Sequence, residues 1–89
     1  MPKLIVQHRV RDYDAWRPHF DRHESKRLEH GVTNPRVYRN AQDPNDLVVL
    51  FNAADEGRAK ELGQSDDLRN AMQAAGVEMS TVSVKLLPD

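Results

Sequence analysis

Two short apolar runs constrain the fold of this chain more than any other feature. They are residues 4–6 and residues 47–51, and each is typical of the centre of a β-strand. A strand with one face in water alternates apolar and polar side chains, whereas a strand covered on both faces is apolar throughout. The sequence therefore predicts a sheet whose central strands are covered on both sides.

Alternating apolar and polar residues, bounded by turn signals, predict four strands. We expect them at residues 3–10, 36–40, 47–53 and 78–87. The first strand directs Leu4, Val6, His8 and Val10 to one face. Asn34-Pro35 breaks the chain before the second strand, and the dense turn signal at residues 43–46 joins the second and third strands into a hairpin.

Two helical segments separate these strands. The first is expected to run from a cap at Asp12 or Asp14 to about His30, with Gly31 as its stop and Pro18 confined to its first turn. Its apolar stripe contains Tyr13, Trp16, Phe20, Glu24, Arg27, Leu28 and Gly31. The second segment covers residues 54–75, and residues 63–65 interrupt it, so that Ser65 caps a new helix that ends at Gly76.

The predicted order of elements is βαββαβ. A right-handed split βαβ pairing gives a ferredoxin-like α+β fold, in which a four-stranded antiparallel sheet carries both helical segments on one face. A chain of 89 residues has no further segment for the other face. We therefore expect residues 1–89 to form a single domain, and a second copy to cover that face in a twofold homodimer. The alternative is a modest apolar patch that stays exposed.

The composition excludes several classes of function. Without cysteine there is no disulfide framework, thiolate zinc site or thiol nucleophile. No apolar stretch approaches the roughly 18 residues of a membrane span, and residues 1–7 lack the pattern of a signal peptide, so a cytoplasmic protein is expected. The net charge of -1 argues against nucleic-acid binding. No glycine-rich phosphate loop indicates a nucleotide, flavin or nicotinamide cofactor, so none is expected.

Charge is distributed unevenly along the chain. Residues 1–40 carry a net charge of +4, and residues 41–89 carry -5. One interpretation is that these are two solvated faces of opposite bias. The other is that Arg9, Arg36 and Arg39 receive an anionic ligand or the acidic half of a partner.

Four places in the sequence resemble the dimeric α+β barrel superfamily, and in particular its small proteins grouped with antibiotic-biosynthesis monooxygenases. They are the strand-to-helix passage 8–20, the turn 43–46 with the strand after it, and residues 65–72 and 75–77. The resemblance implies a dimeric barrel of ferredoxin-like subunits. The superfamily includes cofactor-free oxygenases of phenolic polyketides and quinols, haem-degrading enzymes and isomerases. Its oxygenases surround an aromatic substrate with Asn, Trp, Tyr and Arg, and Trp16, Tyr38 and Arg39 are residues of those types.

A ligand pocket in this fold is expected between the first helix and the sheet, with an apolar lining and a few convergent polar groups. His8 and His23 are the candidate catalytic bases, because an imidazole that titrates near neutral pH can deprotonate a phenol. The candidate substrate-binding residues are Trp16, Phe20, Tyr38 and Arg39. The alternatives are that His8 is a hydrogen-bonded core histidine and that the aromatic stripe belongs only to the core.

The histidines of the first helix make a weak metal site. His19 and His23 have the i,i+4 spacing that can hold one ion, but His30 is roughly 10 Å farther along the helix axis. We therefore expect no metal site. A haem-binding relative, with one histidine as axial ligand, is a further hypothesis.

Two hypotheses about function follow from these residues. The first is an enzyme similar to the cofactor-independent monooxygenases, acting on a small phenolic or quinol-type aromatic molecule. The second is a non-catalytic module that binds a small molecule or serves in assembly.

Overall fold

An antiparallel sheet of four strands forms the base of the molecule and carries the helices on one face. A computed structural model of the chain describes residues 2–88. The elements are β1 (Lys3–Val10), α1 (Tyr13–Arg22), α2 (Glu24–Glu29), β2 (Val32–Asn40), β3 (Asp43–Ala53), α3 (Glu56–Gln64), α4 (Asp66–Ala74) and β4 (Val77–Leu87). The strand order β2-β3-β1-β4 confirms the predicted ferredoxin-like α+β fold. Met1 and Asp89, the ends of the expected domain 1–89, lie outside the described residues.

The inner face of the sheet, which the helices cover, holds most of the core. The face of β1 that the alternation predicts is buried from Leu4 to Val10, which confirms that prediction. On β3 the buried residues are Leu47, Val49, Phe51 and Ala53. The register places Phe51 opposite Leu4 and Leu47 opposite His8, so these pairs share the inner face. Each large apolar side chain buried there stabilises the fold by about 1.5–3 kcal/mol.

The first helical segment is two helices, not one. The chain leaves the helix at His23, whose φ of -85° and ψ of 1° end α1 and precede α2. In a continuous α-helix the Phe20 carbonyl accepts from residue 24. Here that carbonyl accepts from the His23 N–H at 3.2 Å and from Arg27 Nη1 at 2.8 Å. Beyond this break Arg27 is buried, as its place in the stripe predicts, whereas Leu28, expected in the same stripe, is 53% exposed.

Pro18, the start of β2 and the hairpin turn differ from the positions expected from the sequence. Pro18 lies inside α1, beyond its first turn. Strand β2 begins at Val32, before the break expected at Asn34-Pro35. At that position the pairing of β2 with β3 is irregular between Thr33 and Arg36, and Asn34 has a φ of 53°. The hairpin turns at residues 41–42. Residues 44–46, part of the predicted turn, instead form a bulge in β3, because Asn40 pairs with Asp43 and Arg39 with Leu47.

The second helical segment follows the prediction closely. Ser65 separates α3 from α4, and its Oγ accepts a hydrogen bond of 3.1 Å from the Leu68 N–H, as an N-cap does. Gly76 ends the segment with a φ of 85°, a conformation that favours glycine. Among residues 2–88, none of the helices has the length and apolar character needed to cross a membrane.

Replacing the cap of α4 tests this local account. We expect Ser65→Ala to lower the free energy of unfolding by about 1 kcal/mol, since the Leu68 N–H loses its acceptor. Urea denaturation measures the loss. The exposed Ser80 supplies the control, and Ser80→Ala should change stability by less than about 0.5 kcal/mol. Equal effects of the two substitutions would contradict the capping role.

Candidate functional site

A half-open cavity of about 60 Å³ lies between the helices and the inner face of the sheet. Its walls are mostly apolar side chains: Leu4, Val6, Val49 and Phe51 from the sheet, and Trp16, Phe20, Leu62, Leu68, Ala71 and Met72 from the helices. Four polar side chains also line it: His8, His19, His23 and Arg27. An apolar cavity with a few polar groups is typical of sites that bind small organic molecules.

The volume of the cavity is smaller than a single aromatic ring requires, since a cavity that binds benzene measures about 150 Å³. An aromatic ring can therefore enter only if the side chains that line the cavity move apart. Helix α4 is the least buried of the four helices, because it alone contains no fully buried residue. Its Met72 is half-buried and flexible, and methionine adapts readily to the shape of a ligand.

His8 lies where the sheet is irregular. On one side it pairs with Leu47 of β3, but the pairing of β1 with β4 jumps from Gln7–Ser83 to Arg9–Glu78. The Thr81 hydroxyl occupies this gap and accepts the Arg9 N–H at 2.9 Å. Bulges of this kind often occur next to active sites, where they redirect a side chain.

The His8 imidazole is buried and incompletely bonded. Its side chain is only 4% exposed, and its Nδ1 has no hydrogen-bond partner among residues 2–88. Burial lowers the pKa of this imidazole from its usual 6.5, because desolvation disfavours the charged form and outweighs the opposing effects of the His8 backbone carbonyl beside the ring and of the Asp46 charge. The ring is therefore neutral near pH 7, with one nitrogen able to accept a proton.

Aromatic rings form one wall of the cavity. Trp16 is 3% exposed, and its ring centroid lies 4.8 Å from that of Phe20 in a stacked arrangement. The edge of His8 approaches Trp16 with 5.9 Å between centroids, and Phe51 continues the wall 6.2 Å from Phe20. The sequence-predicted residues His8, Trp16, Phe20 and His23 therefore line the same cavity.

His23 is tied to the start of α4 by a carboxylate. Its Nε2 lies 2.9 Å from Asp67 Oδ2, and this hydrogen bond holds the pKa of the Asp67 carboxyl below its usual value. The bond fixes the orientation of an imidazole that lines the cavity. Sequence reasoning placed Asp67 only in the first turn of α4, because nothing in the sequence links that turn to the break at His23.

Tyr38 and Arg39 do not reach the cavity, contrary to the predicted convergence. Tyr38 pairs with Val48, and Val48 pairs with Gln7, so that Tyr38 lies on the outer face of the sheet, where it is 54% exposed. The guanidinium carbon of Arg39 lies 3.9 Å from the ring centroid of Tyr13, and its Nε donates to the Pro44 carbonyl at 2.9 Å. Strand register, which residue types do not reveal, accounts for the placement of Tyr38. Arg39 pairs with Leu47 and so lies on the inner face, but its contacts with Tyr13 and Pro44 keep it out of the cavity lining.

Arg9 pairs within the chain with two carboxylates of its acidic half, Asp43 and Glu78. Its Nε lies 2.8 Å from Asp43 Oδ2 and its Nη1 lies 2.8 Å from Glu78 Oε2. Arg36 donates to Asn52 Oδ1 at 3.3 Å. The basic side chain in the cavity is Arg27, which sequence reasoning did not single out as functional although it placed Arg27 in the buried stripe.

The remaining histidines, His19 at the cavity lining and His30 outside it, are hydrogen-bonded within their own helices or helix ends. His19 Nδ1 lies 3.2 Å from Arg22 Nη2, and His30 Nδ1 lies 3.0 Å from the Lys26 carbonyl. Within residues 2–88, no three His, Asp or Glu side chains are grouped so that they could hold a metal ion.

The burial of neutral His8 predicts an acid-dependent loss of stability. The free energy of unfolding should be highest above pH 6.5 and should fall between 6.5 and the lowered pKa of His8, because there the unfolded chain binds a proton that the folded chain does not. We expect His8→Gln to flatten this decrease, whereas His30→Gln retains it. Urea denaturation at pH 7.5, 6.5 and 5.5 gives the free energy of unfolding against pH for the unsubstituted protein and the two variants. Parallel curves for His8→Gln and the unsubstituted protein would contradict this role of His8.

Comparison with known proteins identifies the fold. No family model matches the sequence, and a search of curated proteins finds no match. Among solved structures, one described as an antibiotic biosynthesis monooxygenase aligns over 100% of this chain and 98% of its own, at a TM-score of 0.68 and 17% identity. A cofactor-independent oxygenase from Streptomyces nogalater aligns over 99% of this chain and 91% of its own, at a TM-score of 0.72 and 12% identity.

A protein from Mycobacterium tuberculosis aligns over 100% of this chain and 95% of its own, at a TM-score of 0.66 and 20% identity. Identities in this range establish a shared fold. The resemblance found in the sequence is therefore confirmed at the level of the fold: the chain has the ferredoxin-like α+β fold of structures described as antibiotic biosynthesis monooxygenases.

Proposed function

We propose that this chain binds a small phenolic or quinol-type aromatic molecule in the cavity beneath α1 and oxygenates it without a cofactor. The observation that carries the proposal is the buried His8 Nδ1, which lacks a partner among residues 2–88 although it borders an apolar, aromatic cavity. A buried polar atom without a partner is unfavourable, and a ligand hydroxyl or acidic C–H would satisfy it. The structural likeness to a cofactor-independent oxygenase also supports an oxygenation without a cofactor.

The proposed reaction needs no electrons beyond those of the substrate. His8 Nδ1 takes a proton from an activated methylene, and the resulting carbanion transfers one electron to dioxygen. The two radicals combine to form a carbon–oxygen bond, which gives a peroxide. Loss of the second methylene proton and cleavage of the O–O bond then leave a carbonyl and one water, so that R₂CH₂ + O₂ gives R₂CO + H₂O.

Each lining group has a defined part in this proposal. His8 is the base, since it is neutral near pH 7 and its Nδ1 has no hydrogen-bond partner among residues 2–88. Trp16 and Phe20 orient the aromatic ring of the substrate by stacking. His23, held by Asp67, is the second candidate base. Tyr38 and Arg39, candidates from the sequence, take no part because they lie outside the cavity lining.

The alternative is a binding module without turnover. It is favoured by the small cavity volume of about 60 Å³ and by the location of Tyr38 on the opposite face of the sheet. Both hypotheses require an aromatic ligand to bind against Trp16. They differ only in whether dioxygen is consumed.

Oxygen uptake distinguishes the two functions. We expect the protein to accelerate oxygen consumption by at least one member of a panel of phenolic anthrones, whose ring methylene is the activated position. His8→Gln should lower kcat by about 100-fold or more, as loss of a general base does. Because the pKa of His8 lies below 6.5, the activity should persist at pH 6.5 and decline in more acidic solution.

His30→Gln is the matched control, since His30 is absent from the cavity lining. The oxygen-consuming activity of this variant should equal that of the unsubstituted protein. Fluorescence of Trp16, the only tryptophan, reports binding independently of turnover. Saturable quenching without oxygen uptake would reject the oxygenase and retain the binding module. Neither quenching nor uptake would reject both.

We further propose that two copies pair through the outer face of the sheet as a twofold homodimer. Ile5 and Leu50 are directly paired on this face, and Val48 lies beside them, so that its centre is apolar. Tyr38 and Leu87, 54% and 45% exposed, extend the apolar surface toward the two edge strands. Two such faces can pack as stacked sheets about 10 Å apart.

Light scattering tests this assembly. The expected particle mass is twice the 10.2 kDa of the chain. Leu50→Glu should give a folded monomer, since it places a charge at the centre of the proposed interface. Leu28→Glu, at a position 53% exposed on α2, should remain dimeric. A folded monomer of the unsubstituted protein at micromolar concentration would contradict the dimer.

A further inference from the structure

The wall of the cavity contains a buried positive charge without a carboxylate partner. Arg27 of α2 is only 6% exposed, and its Nη1 donates to the Phe20 carbonyl at 2.8 Å. The ion pairs found among residues 2–88 involve Arg9, Arg17, His23 and Lys26, but not Arg27. Among residues 2–88, Arg27 is therefore a cation without an ion-pair partner in a mostly apolar cavity.

Aromatic rings compensate this charge only in part. The guanidinium carbon lies 4.0 Å from the ring centroid of Phe20 and 5.8 Å from that of Phe51. The ring faces attract a cation, but a guanidinium has five N–H donors, and the Phe20 carbonyl is the one acceptor found for them among the described residues. Glu24 and Asp21 act on Arg27 only from beyond ion-pair distance, and burial lowers the pKa of the guanidinium.

We propose that Arg27 receives a carboxylate of the bound molecule, so that the cavity selects anionic aromatic ligands over neutral ones. This inference rests on the proposed binding of an aromatic molecule. The planar guanidinium can bind a carboxylate through two parallel hydrogen bonds, and such pairs are stronger where water is excluded. The rings of Phe20 and Phe51, which lie beside the guanidinium, are also part of the lining that would contact the ligand ring.

Isosteric ligand pairs test the charge preference directly. Benzoate and 2-naphthoate differ from benzamide and 2-naphthamide in charge but hardly in shape. Titrations at pH 7, followed by the indole N–H resonance of Trp16, give the four dissociation constants. We expect each carboxylate to bind the unsubstituted protein at least tenfold more tightly than its amide. Arg27→Met should reduce this ratio to about one while leaving the affinity for the amides within twofold.

Arg17→Met is the matched control. Arg17 also lies over the Phe20 ring, with 5.5 Å from its guanidinium carbon to the ring centroid, but it is paired with Asp21 at 3.1 Å. Its side chain is 43% exposed, so its charge is solvated. This variant should retain the full preference for carboxylates, which separates the effect of Arg27 from a general loss of positive charge.

The outcomes separate this inference from the function on which it rests. Equal affinity for carboxylates and amides, or an unchanged ratio in Arg27→Met, overturns the role of Arg27 but leaves aromatic binding intact. Failure of all four ligands to perturb Trp16 overturns both. If Arg27→Met does not fold, Arg27→Lys decides, because it keeps the charge but loses the planar fork. The preference of Arg27→Lys for carboxylates over amides should be at least threefold lower than that of the unsubstituted protein. An unchanged preference overturns the proposal.

Discussion

The packing of the helices against one face of the sheet determines where every group of the candidate site lies. Side chains of a strand alternate between the two faces, so a one-residue change of register would exchange the buried and exposed sets. In β1 this alternation buries His8 together with Leu4, Val6 and Val10. The imidazole is thus carried into the interior by its place in the strand, without a carboxylate to pair with, and this explains both its lowered pKa and its unpartnered Nδ1.

The interruption at His23 supplies the remaining polar groups. It ends α1 early, and beyond it Arg27 packs beside Phe20 while Leu28 is exposed. His23 itself bonds to Asp67, which links the break to the first turn of α4. A carboxylate-bound imidazole at the break and a cation just beyond it therefore line the cavity together with His8.

The parts of the structure that local patterns control were predictable. Period-two alternation identified the buried face of β1, and the polar first turn after Ser65 identified its cap. Tyr38 was a candidate substrate-binding residue, but the face on which it lies depends on the pairing of β2 with β3, which the residue types do not reveal. The break at His23 has no glycine or proline to mark it, and the hydrogen bond of Arg27 to the Phe20 carbonyl across the break is a side-chain contact that local patterns do not show. The His23–Asp67 contact joins residues 44 positions apart, beyond the reach of local patterns.

The proximity of a bound aromatic ring to Trp16 tests the account most directly. Trp16 lies under the helices, whereas Tyr38 lies on the opposite face of the sheet, so the two rings report on the two surfaces that a ligand could use. Intermolecular nuclear Overhauser effects with 2-naphthoate should connect the ligand protons to the Trp16 indole and the Phe20 ring, and not to Tyr38. Effects to Tyr38 with none to Trp16 would contradict the cavity as the binding site.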